Sequence, residues 1–180
     1  MVEELYIKKV LNGDTEAFRY FVSQYKDLAF SVAVSVVKDE FTAADVVQEA
    51  FVRAFENLKS FKGTAKFSTW FIRIVINESY KIVQRNKVKY SDELFDLEVI
   101  SKDALKEADQ KFYVNEVLKI MAPNESLVLR LFYLNENSVK EICEMTGWEE
   151  SKVKVTLHRA RKSMEVKMKK LLKTEVEALI

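Results

Sequence analysis

The sequence predicts an all-α protein built from two small helical domains that an acidic linker joins. The 180-residue chain contains one proline and three glycines, so few residues interrupt a helix. Apolar residues make up 48% of the chain, and they recur at the three- and four-residue spacings of amphipathic helices. A chain of this length forms one large domain or two small ones, and its charge pattern favours two.

Charge is segregated along the chain, although the net charge is only +1. Residues 59–89 contain eight lysines and arginines against one acid, whereas residues 91–109 contain seven acids against two lysines. Residues 151–173 are basic again, with nine lysines and arginines against one acid. Two basic blocks separated by an acidic one predict two contacts with anionic partners. Two solvated helix faces and a soluble linker would give the same pattern.

Cysteine and histidine are too scarce to build a metal site. Cys143 is the single cysteine and His158 the single histidine, which excludes an internal disulfide and a His/Cys cluster. We therefore expect no metal and no cofactor, and one free thiol suits a reducing compartment. Glu3 and Glu4 precede any apolar stretch, which argues against a signal peptide, and residues 28–37 are too short to span a bilayer. These features predict a cytoplasmic protein.

Three helices are predicted before residue 60. Residues 2–12 form a short helix, and Asp14 is placed to cap the next one, whose regular apolar spacing marks a core. A turn over residues 38–42 precedes a third helix that begins at Asp45 and has one broad apolar face. The opposite face is polar, and it is either solvated or contacts a partner: Asp45, Gln48, Glu49 and Arg53.

The stretch over residues 61–85 has the composition of a nucleic-acid contact. A glycine-containing loop with two lysines leads into a helix whose polar side chains recur at intervals of four, four and three. Those intervals place the side chains on one helical face. Cations and amides beside two aromatic rings can hold phosphates and stack on bases, although a solvated surface helix has the same composition. The residues are Lys62, Lys66, Trp70, Arg73, Asn77, Tyr80, Lys81 and Gln84.

The second domain is predicted to follow a linker. Residues 86–100 lose helical periodicity and gain acids, and a helix resumes near Ala104 and ends near Ile120. Pro123 suits the first turn of the next helix, where its missing N–H costs little. Ser138 then caps a short helix, and Gly147 provides the positive φ of a tight connection to the last helix, which begins at residues 149–151.

The last two helices have the pattern of a helix-turn-helix, in which the second helix enters the DNA major groove and the first braces it. The last helix carries an apolar stripe from Val153 to Met168 and a cationic outer surface, which favours DNA binding. Cys143 and Trp148 are predicted to pack in the core beside it. Trp70 suits either a core position or stacking on DNA.

Two segments resemble regions of the bacterial sigma-70 family. ADVVQEAFVRAFENLKSF followed by FSTWFIRIVINE resembles region 2, and LVLRLFYLNENSVKEICEMTGW followed by VKVTLHRARKSM resembles region 4. The missing region 3 is typical of the extracytoplasmic-function (ECF) group. The resemblance covers about residues 10–90 and 110–170. It implies a region 2 domain over 1–89, a linker over 90–108 and a region 4 domain over 109–180.

The resemblance implies core RNA polymerase, through its clamp helices and flap, and promoter DNA as partners. The clamp helices would bind Asp45, Gln48, Glu49, Val52 and Arg53. The −10 element would be opened, and a flipped base captured, by Lys62, Lys66, Trp70, Arg73, Asn77, Lys81 and Arg85. The −35 element would be read by Ser151, Lys152, Lys154, Val155, His158, Arg159 and Lys162. Many relatives also bind an anti-sigma factor, whereas no small-molecule substrate and no enzymatic activity are expected.

The sequence departs from the family pattern at several positions. Glu149 stands where relatives carry a Ser or Thr cap, which makes Ser151 the expected N-cap of the last helix. Val155 and Thr156 replace a serine and an arginine of the recognition helix, and Ile76 replaces an arginine common in the −10 helix. Base preferences therefore do not carry over to this chain.

The acidic linker is expected to mimic a phosphate chain in the polymerase channels.

Two other functions stay open on sequence alone. A stand-alone helix-turn-helix regulator would bind an operator tightly as a symmetric dimer, whereas a sigma factor binds DNA weakly until it joins core polymerase. A small nuclease would need paired histidines and carboxylates on the basic faces, and the sequence lacks them. In the sigma interpretation, two weak DNA contacts on one chain act together through effective concentration, and polymerase performs the chemistry.

Overall fold

The computed structural model describes residues 2–89 and 110–179, and these residues form eight α-helices and no strand. The predicted all-α class is therefore confirmed for the described part of the chain. The predicted linker over 90–108, and the helix start near Ala104, lie outside it. The helices are α1 (Val2–Leu11), α2 (Arg19–Val37), α3 (Glu40–Glu56), α4 (Phe67–Lys89), α5 (Gln110–Ile120), α6 (Pro123–Leu129), α7 (Val139–Thr146) and α8 (Glu150–Leu179).

Helices α2, α3 and α4 pack around an aromatic core. The ring centroid of Phe21 lies 4.3 Å from that of Phe67, and the centroid of Phe51 lies 4.5 Å from that of Phe71. Phe21, Phe67 and Phe71 are buried almost completely. Burying one such side chain stabilises the fold by about 1.5–3 kcal/mol. This core fixes which sides of α3 and α4 face outward.

The start of α3 differs from the prediction. The helix begins at Glu40, and the expected start at Asp45 is wrong. Lys38 adopts a left-handed conformation with φ of 65°, which reverses the chain within two residues. Asp39 then caps α3, because its carboxylate accepts a hydrogen bond from the Thr42 N–H at 2.6 Å. Of the predicted turn over residues 38–42, only Lys38 and Asp39 lie outside the helices, and residues 40–42 form the first turn of α3.

The cap at Asp14 is confirmed, since its carboxylate accepts from the Ala17 N–H at 3.2 Å. It caps a 3-10 turn, Thr15–Phe18, that continues into α2. The predicted loss of helix after Arg85 is wrong for residues 86–89, because α4 continues to Lys89. That segment contains no glycine or proline that would end a helix.

The second half, α5 to α8, packs around buried side chains of α6 and α8, among them Leu127, Val153 and Leu157. Pro123 opens α6, and the chain continues as a π-helical turn, Arg130–Leu134. Ser138 and Gly147 behave as predicted: the serine begins a capping box at α7, and the glycine ends that helix with φ of 71°. No helix in the described residues has the length and apolar character needed to cross a membrane.

Candidate polymerase and nucleic-acid surfaces

The outer face of α3 is exposed along its length. Asp45, Gln48 and Glu49 are exposed, and Val52 keeps 52% of its surface accessible. Phe41 lies four residues before Asp45 on the same face and is 86% exposed, which is unusual for a phenylalanine. The sequence prediction missed Phe41 because it placed this residue in a turn. With α3 extended back to Glu40, the four-residue spacing places Phe41 on the same helical face as Asp45, so helical periodicity could have identified Phe41.

Arg53 points toward α4. Its Nε lies 2.8 Å from a carboxylate oxygen of Glu49 and 3.0 Å from one of Glu78, although the N–H is aligned with neither. Glu78 is only 9% exposed at its side chain, and it also accepts a hydrogen bond from Lys81 Nζ at 2.7 Å. The Glu78 carboxylate of α4 therefore links α3 to α4 and balances the charges of Arg53 and Lys81. Lys81 is one of the predicted −10 residues.

A cavity of about 510 Å³ lies between α4 and the end of α3. Three of the predicted −10 residues, Trp70, Asn77 and Lys81, line it. The Trp70 ring packs against Phe61 at 5.3 Å and Phe67 at 5.5 Å between centroids, and it remains partly accessible. Trp70 therefore packs against the core and also lines the cavity, while its predicted stacking on DNA stays a prediction.

The other edge of α4 contacts the C-terminal half. Lys66, directly before the first residue of α4, and Arg73 and Tyr80 within the helix recur every seven residues, about two helical turns, so the three lie in one row. We call this row the α4 edge. Its partners are Glu141 Oε1, 2.9 Å from Lys66 Nζ; the Glu144 carbonyl oxygen, 3.4 Å from Arg73 Nη1; and Asn124 Oδ1, 2.5 Å from Tyr80 Oη. The predicted −10 residues therefore fall into two groups. Trp70, Asn77 and Lys81 line the cavity, whereas Lys66 and Arg73 contact the C-terminal half. Lys62 and Arg85 are exposed.

Two groups at the α4 edge, the Glu141 carboxyl and the Tyr80 hydroxyl, have shifted pKa values. The hydrogen bond from Lys66, followed by those from the Ser138 N–H and hydroxyl, lowers the pKa of Glu141 to about 2. Burial raises the pKa of Tyr80 to about 12. At neutral pH Glu141 is therefore an anion and Tyr80 a neutral hydrogen-bond donor.

A second contact between the halves, at the end of α2, partly buries two cations whose hydrogen-bond partners among the described residues are uncharged. Lys38 Nζ donates to the Leu118 carbonyl oxygen at 2.7 Å, and Arg130 donates to Ser35 Oγ at 2.6 Å and to Asn115 Oδ1 at 3.2 Å. Burial, together with the charge of Arg130, lowers the pKa of Lys38 to about 7. This contact could not be predicted from the sequence, because Lys38 follows an apolar helix and lies in what reads as a polar turn.

The first half of α8 has an exposed polar surface. Val155 keeps 50% of its surface accessible. Lys152 Nζ lies 4.2 Å above the centroid of the Trp148 ring, and Lys154 Nζ lies 2.5 Å from a carboxylate oxygen of Glu150. All the predicted −35 residues are exposed on this surface: Ser151, Lys152, Lys154, Val155, His158, Arg159 and Lys162.

Ser151 is not the N-cap of the last helix, as was predicted. Helix α8 begins at Glu150, and the Glu149 carbonyl oxygen already accepts a hydrogen bond from the Val153 N–H at 3.1 Å. The serine therefore lies inside the first turn. Cys143 and Trp148 pack against the core as predicted but stay partly accessible, and burial raises the pKa of the Cys143 thiol.

An apolar groove of about 440 Å³ separates α5 from α8. Val114, Leu118, Met164 and Met168 line it, together with Leu129. Methionines at such a surface adapt to different apolar partners. The lining of the groove is almost entirely apolar.

Two family models match the chain in the order expected from its motifs. Sigma-70 region 2 matches residues 21–88, and Sigma-70 region 4 matches residues 111–164. RNA polymerase sigma factor YlaC of Bacillus subtilis is 34% identical over 139 residues, which cover 72% of this chain and 79% of that protein. ECF RNA polymerase sigma factor SigW of the same species is 28% identical over 179 residues, covering 92% of this chain and 96% of that protein.

Solved structures share the fold. The sigma factor RpoE, seen in complex with the anti-sigma factor NepR from Bartonella quintana, superimposes with a TM-score of 0.69 at 19% identity, covering 85% of this chain and 96% of that one. Sequence matches and fold agree over both halves. The chain therefore belongs to the sigma-70 family of RNA polymerase sigma factors and, within that family, to the ECF group.

Proposed function

We propose that this chain binds core RNA polymerase through α3, opens the −10 element with α4 and reads the −35 element with α8. The observation that carries the proposal is the presence of two separate cationic helix surfaces, one in each of the matched sigma regions. The region 2 match favours this function over a stand-alone regulator, because it includes α3 and α4, which a helix-turn-helix regulator does not need. The proposed domains are 1–89 and 109–180, with a linker over 90–108.

The exposed face of α3 is the proposed contact with the polymerase clamp helices. It presents Asp45, Gln48, Glu49 and Val52, and we add Phe41 as an apolar anchor, since exposed aromatic residues often contribute much of the binding energy of an interface. Arg53 acts mainly through its pairing with Glu49 and Glu78, which holds α3 and α4 together. The apolar groove beside α5 is the surface that we assign to the polymerase flap.

The cavity beside α4 is the proposed site for a base flipped out of the −10 element. Extruding a base costs a few kcal/mol of stacking, and a ring that stacks on the extruded base returns about 1–3 kcal/mol. Trp70 supplies the ring, and the Asn77 amide can hydrogen-bond to the edge of an unpaired base. Lys81 and Arg85 provide charge for the adjacent phosphates.

The exposed surface of α8 is the proposed contact with the −35 element. Lys152, Arg159 and Lys162 supply positive charge for phosphates, which holds the helix in the groove without selecting a sequence. Val155 is exposed at the centre of this surface and can contact a thymine methyl group in the major groove.

Polymerase supplies the chemistry of RNA synthesis, so the chain itself needs no catalytic group, and the proposal places it in the cytoplasm with the polymerase. An anti-sigma factor is proposed as a further partner, because the related fold of RpoE is seen bound to one.

Separating polymerase binding from DNA opening tests the proposal. Gln48→Ala with Glu49→Ala should weaken retention of the chain on immobilised core polymerase at least about tenfold, because it removes polar contacts at the centre of the α3 face. Asn77→Ala should leave retention unchanged and reduce the reactivity of −10 thymines toward permanganate. Glu16→Ala, on an exposed acid elsewhere in the same domain, is the matched control. The assignment fails if Asn77→Ala lowers retention, or if the α3 variant melts DNA as well as the unaltered chain.

A further inference from the structure

The end of α2 meets the C-terminal half at a site with more positive charge than its neighbours use. Lys38 directly follows the last residue of α2, and Arg130 begins the π-helical turn that continues α6. We propose that Lys38 and Arg130 form a binding site for a tetrahedral oxyanion, either inorganic phosphate or the phosphate group of a small molecule. This inference goes beyond the proposed function in transcription and does not depend on it.

The two side chains offer more hydrogen-bond donors than the described residues accept. Lys38 Nζ donates to the Leu118 carbonyl oxygen at 2.7 Å, which uses one of the three N–H bonds of the ammonium group. Arg130 donates through Nε to Ser35 Oγ at 2.6 Å and through Nη2 to Asn115 Oδ1 at 3.2 Å, which uses two of its five N–H bonds. The remaining donors of both groups have no acceptor among the described residues. An oxyanion can supply acceptor oxygens to both groups at once.

The acceptors at this site do not require the two cations. The Leu118 carbonyl oxygen also accepts from the Ser126 hydroxyl at 2.9 Å, so it stays paired without a cation. The Ser35 hydroxyl donates to the Ser31 carbonyl oxygen at 3.0 Å and is therefore also engaged. Asn115 is exposed, so water can satisfy its side-chain amide. Pairing of these neutral groups therefore does not explain why two cations lie here.

The carboxylates closest in sequence to the site are engaged elsewhere. Glu40 and Glu116 both pair with Lys119, with N–O distances of 3.7 Å and 2.8 Å. The Asp39 carboxylate caps α3. Within residues 2–89 and 110–179, no ion pair joins a carboxylate to either cation of the site. The acceptor that would balance the two charges is therefore absent from the described part of the chain.

The electrostatics of the two cations favour an anionic ligand. Burial, followed by the charge of Arg130, lowers the pKa of Lys38 to about 7, and burial also lowers the pKa of Arg130. Like charges in a partly buried place are unfavourable, and a bound dianion replaces their repulsion by charge-assisted hydrogen bonds. Both side chains keep part of their surface accessible, so a small anion can reach them.

The backbone on both sides of the site is fixed by the core. Val36 lies two residues before Lys38, and Leu131 directly follows Arg130. Both apolar side chains are buried almost completely, and they belong to one core cluster that runs through both halves of the chain. The two cations are thus held on their respective sides of the site before a ligand arrives, which lowers the entropic cost of binding.

The test titrates the isotope-labelled, full-length chain with sulfate and follows the Arg130 Nε–H resonance by NMR, with chloride keeping the ionic strength constant. Sulfate is tetrahedral and stays a dianion at neutral and alkaline pH, so any effect of pH on its affinity arises in the protein. Sulfate should shift this resonance to saturation. Because Lys38 loses its charge around pH 7, the affinity should fall about tenfold between about pH 6 and about pH 8.5.

Lys38→Met should bind sulfate at least about tenfold more weakly at the lower pH and should lose the pH dependence. Lys26→Met is the matched control, since it removes an exposed cation of the same helix and should bind like the unaltered chain. The inference is overturned if sulfate leaves the Arg130 resonance unchanged, if its affinity is equal at the two pH values, or if both variants weaken binding equally. The pH comparison uses the unaltered chain, so it decides the question even where a variant fails to fold.

Inorganic phosphate and AMP, titrated in the same way, distinguish the two sources of the anion. Tighter binding of AMP than of phosphate assigns the site to the phosphate group of a small molecule, and equal or weaker binding assigns it to the free anion. If sulfate binds and neither phosphate compound shifts the Arg130 resonance, the assignment to a phosphate ligand is wrong.

Discussion

Replacing Lys38 by methionine should make the protein more stable at neutral pH and remove part of its pH dependence. The Lys38 side chain is partly buried, and this burial, together with the charge of Arg130, lowers its pKa from 10.5 to about 7. Methionine keeps the length of the side chain without the charge. The Leu118 carbonyl oxygen would not be left unpaired, because the Ser126 hydroxyl also donates to it, at 2.9 Å.

The sign of the pH effect on stability follows from the direction in which the pKa of Lys38 is shifted. Between pH 7 and pH 10.5 the unfolded chain binds the Lys38 proton and the folded chain releases it, so the free energy of unfolding rises with pH. Each unit of pKa difference corresponds to about 1.4 kcal/mol, which gives a gain of about 2 kcal/mol between about pH 7.5 and about pH 9. Below pH 7 both states hold the proton, and the cost of burying the charge is present in full.

Urea denaturation followed by circular dichroism at a series of pH values measures this effect. The Lys38→Met variant should lack the rise of about 2 kcal/mol and should exceed the unaltered chain most at the lowest pH of the series. Lys26→Met is the control, because it makes the same substitution at an exposed position of α2 and should keep the rise. Equal pH dependence in the Lys38 variant and the unaltered chain would refute the argument.

Two further predictions concern stability. Ser138→Ala removes the cap of α7 and should lower the free energy of unfolding by about 1 kcal/mol in urea denaturation, whereas Ser151→Ala, inside the first turn of α8, should change it by less than about 0.5 kcal/mol. Glu78→Gln leaves Arg53 and Lys81 without their shared carboxylate and should cost about 2 kcal/mol, less than for a fully buried pair, since both cations are more than one-third exposed. An unchanged thermal midpoint in Glu78→Gln would show that this carboxylate does not stabilise the α3–α4 contact.

Local features of the fold could be predicted from the sequence because their signals lie within a few residues. Ser138 and Gly147 were assigned correctly, since a capping serine and a turn glycine act on their own helix. The start of α3 was misplaced because Asp39 and Glu40 read as a polar turn, although an aspartate can also cap the helix that follows it. The two family models match residues 21–88 and 111–164, so the motifs identified in the sequence are supported in both halves of the chain.

The contacts between the halves could not be predicted, because they join residues that are far apart in sequence. Lys66 and Glu141 are 75 positions apart, and Lys38 and Leu118 are 80. No helical period relates such pairs, and the charge of Lys66 suits a phosphate as well as a carboxylate. The sequence therefore predicted a polar face on α4. It did not predict that part of this face lines a cavity while another part contacts the C-terminal half.

Transcription with purified core RNA polymerase tests the central claim most directly. The chain and core polymerase, incubated together with fragments of a bacterial genome, should produce run-off transcripts with discrete start sites, and neither component alone should produce them. The fragments that give transcripts should bind the chain tightly only when core polymerase is present. The account would be contradicted if the folded chain and core polymerase together gave no specific transcripts. It would also be contradicted if the chain alone bound those fragments as tightly as it does in the presence of core polymerase.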